Sequence, residues 1–113
     1  MDYSKLSDFE INILVAKAGG HGPLDKEQGW AGSQKEPFTA VIVKAAHILG
    51  AFDPCNNPAD AWPIIMKSRI NIEFDLDETF AWGYDQNAQV LSERDRKTFR
   101  AAMIVFLMMQ GDE

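Results

Sequence analysis

The sequence of 113 residues has little cysteine and no long apolar run. Cys55 is the single cysteine, so the chain cannot form an internal disulfide, which is typical of proteins in a reducing compartment. The most apolar stretch, residues 101–109, is far shorter than the roughly 20 residues that a helix needs to cross a bilayer. The first residues also lack the basic and apolar regions of a signal peptide. We therefore expect a cytoplasmic protein that does not insert into membranes.

Clustered basic charge is also missing. Lys and Arg number 11 against 17 Asp and Glu, which gives a formal net charge of −6, and the basic residues of 94–100 alternate with acidic and apolar ones. Binding to a phosphate backbone needs a basic cluster, so nucleic acid is not expected as a direct partner. An acidic protein suits a basic patch on a partner protein. Mimicry of nucleic-acid charge stays open, although −6 is small for that role.

The composition of the chain is typical of one globular domain. Hydrophobic residues make up 46% and charged residues 25%, which predicts a single folded domain over residues 1–113. Glycine is concentrated in residues 19–37, where apolar side chains are few. That stretch is predicted to be a flexible loop.

The first helix has clear signals at both of its ends. Ser7 precedes Glu10 by three positions, the spacing of a capping box. Phe9, Ile13 and Ala16 follow at helical spacing and predict one buried stripe. The glycines at positions 19 and 20 then predict the end of the helix.

Residues 38–51 carry two competing signals. The β-branched stretch 38–43 follows Pro37 and favours a strand. Good helix formers later in this stretch make a helix over residues 41–49 the alternative prediction. We predict a strand at 38–43 and a second strand at 44–51.

A short middle helix is predicted from Pro58 to Met66. Asn57 stands at the N-cap position and Pro58 at the first helical position, where a missing amide hydrogen costs nothing. Asp60 suits the first turn because its charge complements the helix dipole. Pro63 lies inside the segment, so we expect the helix to be short or kinked.

The last third of the chain predicts a hairpin and a long helix. Apolar and polar residues alternate over 70–76 and again over 79–84, which is typical of two paired strands. Ser92 and Asp95 have the spacing of a helix start, and the apolar pattern runs to Gln110. The predicted fold is therefore α+β: a small, mainly antiparallel sheet with an N-terminal helix, a short middle helix, and a C-terminal helix packed on the sheet.

No coherent catalytic or metal-binding group is visible. The acidic residues near the hairpin turn lack the further ligands of a calcium loop, and His21 and His47 have no zinc-ligand spacing. Cys55 with His47 could form a nucleophilic pair, but a buried structural cysteine is the simpler interpretation. We therefore expect neither an enzyme nor a cofactor or metal.

One segment resembles a binding surface more than the others. Asn56, Asn57, Asp60 and Trp62 lie in a short polar stretch between prolines, although capping and turn formation also account for it. Arg69 and Trp82 could add a phosphate contact and a stacking surface. The candidate binding site thus comprises Asn56, Asn57, Asp60, Trp62, Arg69 and Trp82.

Three stretches, residues 1–12, 52–65 and 100–110, carry a resemblance to a known family. In them the chain resembles the NinX-like family of phage and prophage proteins of unknown function. The resemblance implies an accessory protein of lambda-like phages of enteric bacteria, acting on a host protein or against a host defence. It implies no catalytic residues.

Three functions follow as hypotheses. The leading one is a non-enzymatic binding module that engages a host or phage protein. The alternative is a small-ligand binder that sequesters a nucleotide-derived signal, and a hydrolytic enzyme comes third. A concave pocket with two aromatic residues and a basic residue would favour the ligand, whereas a flat exposed apolar patch would favour a protein partner. The apolar C-terminal helix is also compatible with a homodimer.

Overall fold

The computed structural model of the protein describes residues 2–45 and 48–111. It contains three α-helices and two antiparallel sheets, which confirms the α+β class but divides the single predicted sheet in two. After a short 3-10 turn at Tyr3–Lys5, the elements are α1 (Asp8–Ala18), β1 (Gly22–Pro23), β2 (Ala31–Gly32), β3 (Val41–Ala45), β4 (Ile48–Phe52), α2 (Pro58–Ser68), β5 (Asn71–Phe74), β6 (Thr79–Tyr84), β7 (Val90–Asp95) and α3 (Thr98–Met109).

The N-terminal sheet is built around β3. Strand β4 pairs antiparallel with β3. The two-residue strands β1 and β2 also pair antiparallel with β3. The predicted loop at 19–37 therefore contributes two short strands. Two strands are present in 38–51 as predicted, but they run over Val41–Ala45 and Ile48–Phe52 in place of 38–43 and 44–51. The first begins late because Phe38 has a left-handed φ of 65° and closes a turn with Lys35. Ala46 and His47 lie outside the described residues.

The C-terminal sheet has β6 at its centre, between β5 and β7. The predicted β5–β6 hairpin is confirmed, and the Asp75 amide closes its turn by donating to the Glu78 carbonyl at 2.8 Å. The prediction that the last helix begins at Ser92 is wrong. Ser92 pairs with Trp82 in the sheet, and the Asp95 carboxylate accepts from the Lys97 amide after the strand ends. Pairing with β6 thus overrides a local sequence signal.

The first two helices begin as predicted. The Ser7 hydroxyl accepts from the Glu10 amide at 3.1 Å and the Glu10 carboxylate accepts from the Ser7 amide at 2.8 Å. Asn57 caps α2 by accepting from the Ala59 amide at 2.9 Å. Helix α2 continues through its internal proline to Ser68, beyond the predicted end at Met66.

Helix α3 forms the centre of the main core. Its buried side chains contact Ile11 and Val15 of α1, Ile65 of α2, and the inner face of β6 and β7, so the predicted packing of the last helix on a sheet is confirmed. A second, smaller cluster contains Ala16, Val41 and Val43, with Phe9, Ile13, Trp30 and Phe52 packed against it. Helix α1 therefore contributes to both cores. Among the described residues, no helix combines the length and apolarity needed to cross a membrane.

Candidate functional site

A cluster of polar side chains joins α1 to the segments that flank the N-terminal sheet. We call Asp8, Asn12, Thr39, Asp53 and Asn56 the polar cluster. Asn12 is 0% exposed, and its amide donates to Asp53 Oδ1 at 2.7 Å and to the Thr39 carbonyl at 2.8 Å. Its side-chain oxygen accepts from the backbone amide of residue 55 at 3.1 Å. Because buried polar groups need partners, Asn12 fixes three segments at once.

Asn56 lies at the centre of the polar cluster. Its side-chain nitrogen is 3.1 Å from oxygens of Asp8, Thr39 and Asp53. The Thr39 hydroxyl donates in turn to Asp53 Oδ2 at 2.5 Å. The amide hydrogens of Asn56 are therefore directed at acceptors within the protein.

Two cations from the end of the chain complete this cluster. Lys97 and Arg100 both bind the Asp8 carboxylate, with Arg100 Nη1 at 2.6 Å, and Arg100 Nε binds Asp95 at 2.9 Å. The Arg100 side chain is only 11% exposed, and its remaining nitrogen donates to the carbonyls of Ser4 and Leu6. Asp8 and Arg100 are 92 positions apart, so no local pattern in the sequence could have paired them.

The ionisation of these groups reflects that pairing. Burial acts to raise the pKa of Asp8, but hydrogen bonds from Lys97, Asn56 and Arg100 outweigh it and hold that pKa below its usual value. Burial likewise acts to lower the pKa of Arg100, and the carboxylates of Asp8 and Asp95 raise it overall. These charges bind one another, so the cluster holds the fold together.

Three predicted site residues meet beside the polar cluster. Asn56, Asn57 and Asp60 line a shallow cavity of about 380 Å³, together with Lys35 and Glu36 from the opposite loop. Asp60 accepts from the Asp53 amide at 2.9 Å, and Asn57 caps α2. The structure therefore brings these three residues together, and each makes a hydrogen bond that shapes the local backbone.

The other three predicted residues lie elsewhere. Trp62 is on an exposed side of α2, edge-on to Phe99, with ring centroids 6.1 Å apart. Arg69 lies past the far end of α2, where it lines a cavity of about 640 Å³ with Met66 and Tyr84. Since α2 is about 16 Å long, Arg69 is well separated from the Asn57 cap. The Arg69 cavity contains one aromatic side chain, not the two that a stacking site would use.

Trp82 belongs to an aromatic stripe on the C-terminal sheet. Alternate residues of β6 point toward α3, whereas Phe80, Trp82 and Tyr84 occupy the opposite face, as the sequence predicted. We call this second face, with Val90 beside Tyr84, the outer face. Tyr84 is 55% exposed and its cross-strand partner Val90 is 59% exposed. The alternation of residues along β6 is the sequence signal that places Phe80 and Tyr84 on the same face as Trp82.

The rings of the outer face are held in place by their neighbours. Trp82 Nε1 donates to Glu73 at 2.6 Å, and the Trp82 and Tyr84 rings meet edge to face at 5.7 Å. The Arg94 guanidinium lies 4.5 Å from the centre of the Phe80 ring. These contacts fix the orientations of the three rings.

Charge is distributed unevenly along the chain. Residues 71–95, which form the C-terminal sheet and its turns, contain seven acidic residues and one basic residue. The other 88 residues contain ten acidic and ten basic residues, so they sum to zero. The net charge of −6 is therefore carried by the segment that forms this sheet and its turns, although Asp95 in it pairs with Arg100 of α3.

Cys55 is buried, and burial raises the pKa of its thiol, which disfavours the reactive thiolate. Its hypothetical partner His47 lies outside the described residues. Within 2–45 and 48–111, no three His, Cys, Asp or Glu side chains are grouped so as to hold a metal ion.

No curated protein matches this chain. A family model described as Bacteriophage P22, NinX matches residues 2–110, a span that includes the polar cluster, the outer face and all three helices. The chain therefore belongs to the NinX family of bacteriophage proteins.

Proposed function

We propose that the protein is a non-enzymatic binding module that engages a partner protein through the outer face. The single observation that carries this proposal is that the segment 71–95, whose sheet carries the aromatic stripe, also carries the net negative charge of the chain. An antiparallel sheet usually turns polar side chains to water on its open face, so an aromatic stripe there needs another explanation. An open sheet face of this kind fits a protein better than a small molecule.

The chemistry of the stripe is suited to protein contact. Trp and Tyr are enriched among the residues that dominate binding energy at protein interfaces. Trp82 and Tyr84 are already oriented by Glu73 and by each other, so less side-chain entropy is lost when a partner covers them. The free energy gained by burying these rings is therefore opposed by only a small loss of side-chain entropy.

The charge of the sheet specifies the kind of partner. Around the aromatic stripe, Glu73, Asp75 and Asp85 outnumber the single cation Arg94, which itself lies 3.6 Å from Asp75. On the opposite face of the same sheet, where Glu93 pairs with the buried Ala81, burial and the carboxylates of Asp2 and Asp95 raise the pKa of Glu93. The partner should present an apolar patch bordered by Lys and Arg, and its association should be faster at low salt.

The polar cluster supports a role without catalysis. Lys97 and Arg100 bind the Asp8 carboxylate, the Asp53 carboxylate accepts from Asn12 and Thr39, and the Cys55 thiol is held neutral. The alternative of a nucleotide-like ligand has less support, because Arg69, Trp62 and Trp82 do not share one cavity with Asn56 and Asn57.

The test is quantitative capture from a lysate of an enteric bacterium. The outer-face variant carries Trp82→Thr and Tyr84→Thr, which keep β propensity while removing both rings. The control is Leu49→Thr on β4, because the Leu49 side chain is 53% exposed and so closely matches Tyr84. Each captured protein is identified, purified and titrated against the three forms by calorimetry at low and high salt.

We expect one partner with a basic surface, bound by the native protein and the control alike. The outer-face variant should bind it at least about tenfold more weakly, and added salt should weaken the native complex. Equal binding by the outer-face variant would disprove the proposal. A self-associating protein that becomes monomeric in that variant would instead assign the outer face to a second copy of this chain.

A further inference from the structure

An apolar groove runs between the three helices on a side of the protein that the proposed function does not use. Two adjoining cavities of about 450 and 400 Å³ form it. They share Gly19 at the end of α1, Pro63 and Ile64 of α2, and Phe106 of α3. We call the combined space the helical groove.

One wall of the helical groove is a single face of α2. Asp60, Ile64 and Lys67 line the groove and follow one another at helical spacing, four and then three positions apart. Seven residues of helix span about 10 Å, which sets the distance from the acidic end of this wall to its basic end. The groove is therefore long enough for an extended chain or a fused ring.

The floor of the helical groove is apolar. Phe106 is only partly buried although its neighbours from Ala101 to Val105 on α3 are fully buried, and Ile64 is partly buried as well. Phe52 lies at the far end, where its ring contacts His21 with centroids 5.2 Å apart. Mainly apolar, concave spaces with a few polar groups at defined places are the usual form of small-molecule sites.

The polar groups at the two ends give the groove a direction. At one end Lys67, Ser68 and Gln110 supply donors, and among the described residues Lys67 forms no ion pair. At the other end the His21 ring lies against Phe52, and the Asp60 carboxylate already accepts from the Asp53 amide. An anionic head group is favoured beside Lys67 and disfavoured beside Asp60, so a bound acid would lie with its apolar body toward Phe52.

We propose that the helical groove binds a small organic acid with an apolar body, its carboxylate at Lys67 and its body on Phe106. An acyl chain and an aromatic ring system both satisfy this chemistry. The site does not depend on the outer face, because it shares no residue with Phe80, Trp82, Tyr84 or Val90.

The experiment is a titration of the ¹⁵N-labelled full chain, followed by amide chemical shifts, with decanoate, 2-naphthoate and the neutral decanol. Lys67→Gln removes the cation, and Lys44→Gln on β3 is the matched control, since Lys44 is an exposed lysine outside the groove. Ala18→Trp fills the groove from the exposed end of α1 without removing a core side chain.

We expect saturable shifts centred on Gly19, Ile64 and Phe106 with at least one of the two acids. The Lys67→Gln variant should weaken binding about fivefold, as for one partly exposed ion pair, and Lys44→Gln should not change it. Ala18→Trp should abolish the shifts. Binding of decanoate alone would identify the acyl class and binding of 2-naphthoate alone the aromatic class.

Several results would overturn the proposal. If neither acid shifts the amide signals of the groove, the groove is not a binding site for such acids. If decanol binds as tightly as decanoate, the carboxylate does not contribute to binding. Identical affinities of the Lys67→Gln variant and the native protein would lead to the same conclusion. Unchanged shifts in Ala18→Trp would place the acid elsewhere. The outer-face variant should bind these acids normally, so this result is separable from that of the partner experiment.

Discussion

The two sheets of this protein are stabilised in different ways. The C-terminal sheet lies on α3, whose apolar side chains belong to the larger of the two cores. The N-terminal sheet covers only a small cluster, in which Ala16, Val41 and Val43 are the buried members, and the polar cluster attaches it to α1. A sheet with a large apolar core on one side can present aromatic residues on the other, whereas a sheet with a small core depends on hydrogen bonds.

Asn12→Leu should destabilise the N-terminal sheet more than any other substitution considered below. The substitution leaves the buried Asp53 carboxylate and the Thr39 carbonyl without their Asn12 donor, and the amide of residue 55 without its acceptor. We expect a loss of about 3–5 kcal/mol in the free energy of unfolding. Urea denaturation measures the loss, and hydrogen exchange should show β3 and β4 opening before β5 and β6. Uniform opening of both sheets would contradict the dependence described above. The exposed Asn71→Leu is the control.

Asp8→Asn should have a slightly smaller effect that depends on pH. It leaves Arg100 with one carboxylate in place of two and Lys97 with none, so we expect a loss of about 3 kcal/mol at neutral pH. Because the pKa of Asp8 is below its reference value of 3.8 in the folded protein, its contribution is complete above about pH 4 and is lost as the pH falls through the lowered pKa. Urea denaturation from pH 7 to pH 2.5 should show the two proteins converging at the acidic end. A constant difference over that range would show that the charge of Asp8 is not responsible.

Two glycine substitutions compare the packing of the sheets directly. A Cβ on Gly83 of β6 would lie 2.2 Å from Cε of Met109, the flexible end of a side chain on α3, so Gly83→Ala forces that side chain to move. We expect a cost of about 1–2 kcal/mol. Gly50 of β4 has nothing within 4 Å of the same position, so Gly50→Ala should be neutral or slightly stabilising. Thermal unfolding of both variants tests this, and equal destabilisation would mean that the N-terminal sheet is as tightly packed as the other.

The sequence by itself determined the features that depend on neighbouring residues. The Ser7–Glu10 capping box, the Asn57 cap before Pro58 and the alternation along β6 were all predicted and are all present. Each involves groups within a few positions of one another, so local geometry alone selects it. The same locality explains the wrong start of the last helix, because a helix-start spacing at Ser92 cannot reveal that β6 is available for pairing.

Only the tertiary structure decided how distant residues meet. Asn12 binds Asp53 across 41 positions and Arg100 binds Asp8 across 92, and both pairs are selected because a buried polar group must find a partner. The fold also placed three of the predicted site residues at one end of α2 and Arg69 at the other. It left the aromatic stripe opposite α3 and the helical groove between three helices that are distant in the sequence. The surfaces that we propose for binding therefore follow from which faces the core buried, a choice made by packing across the whole chain.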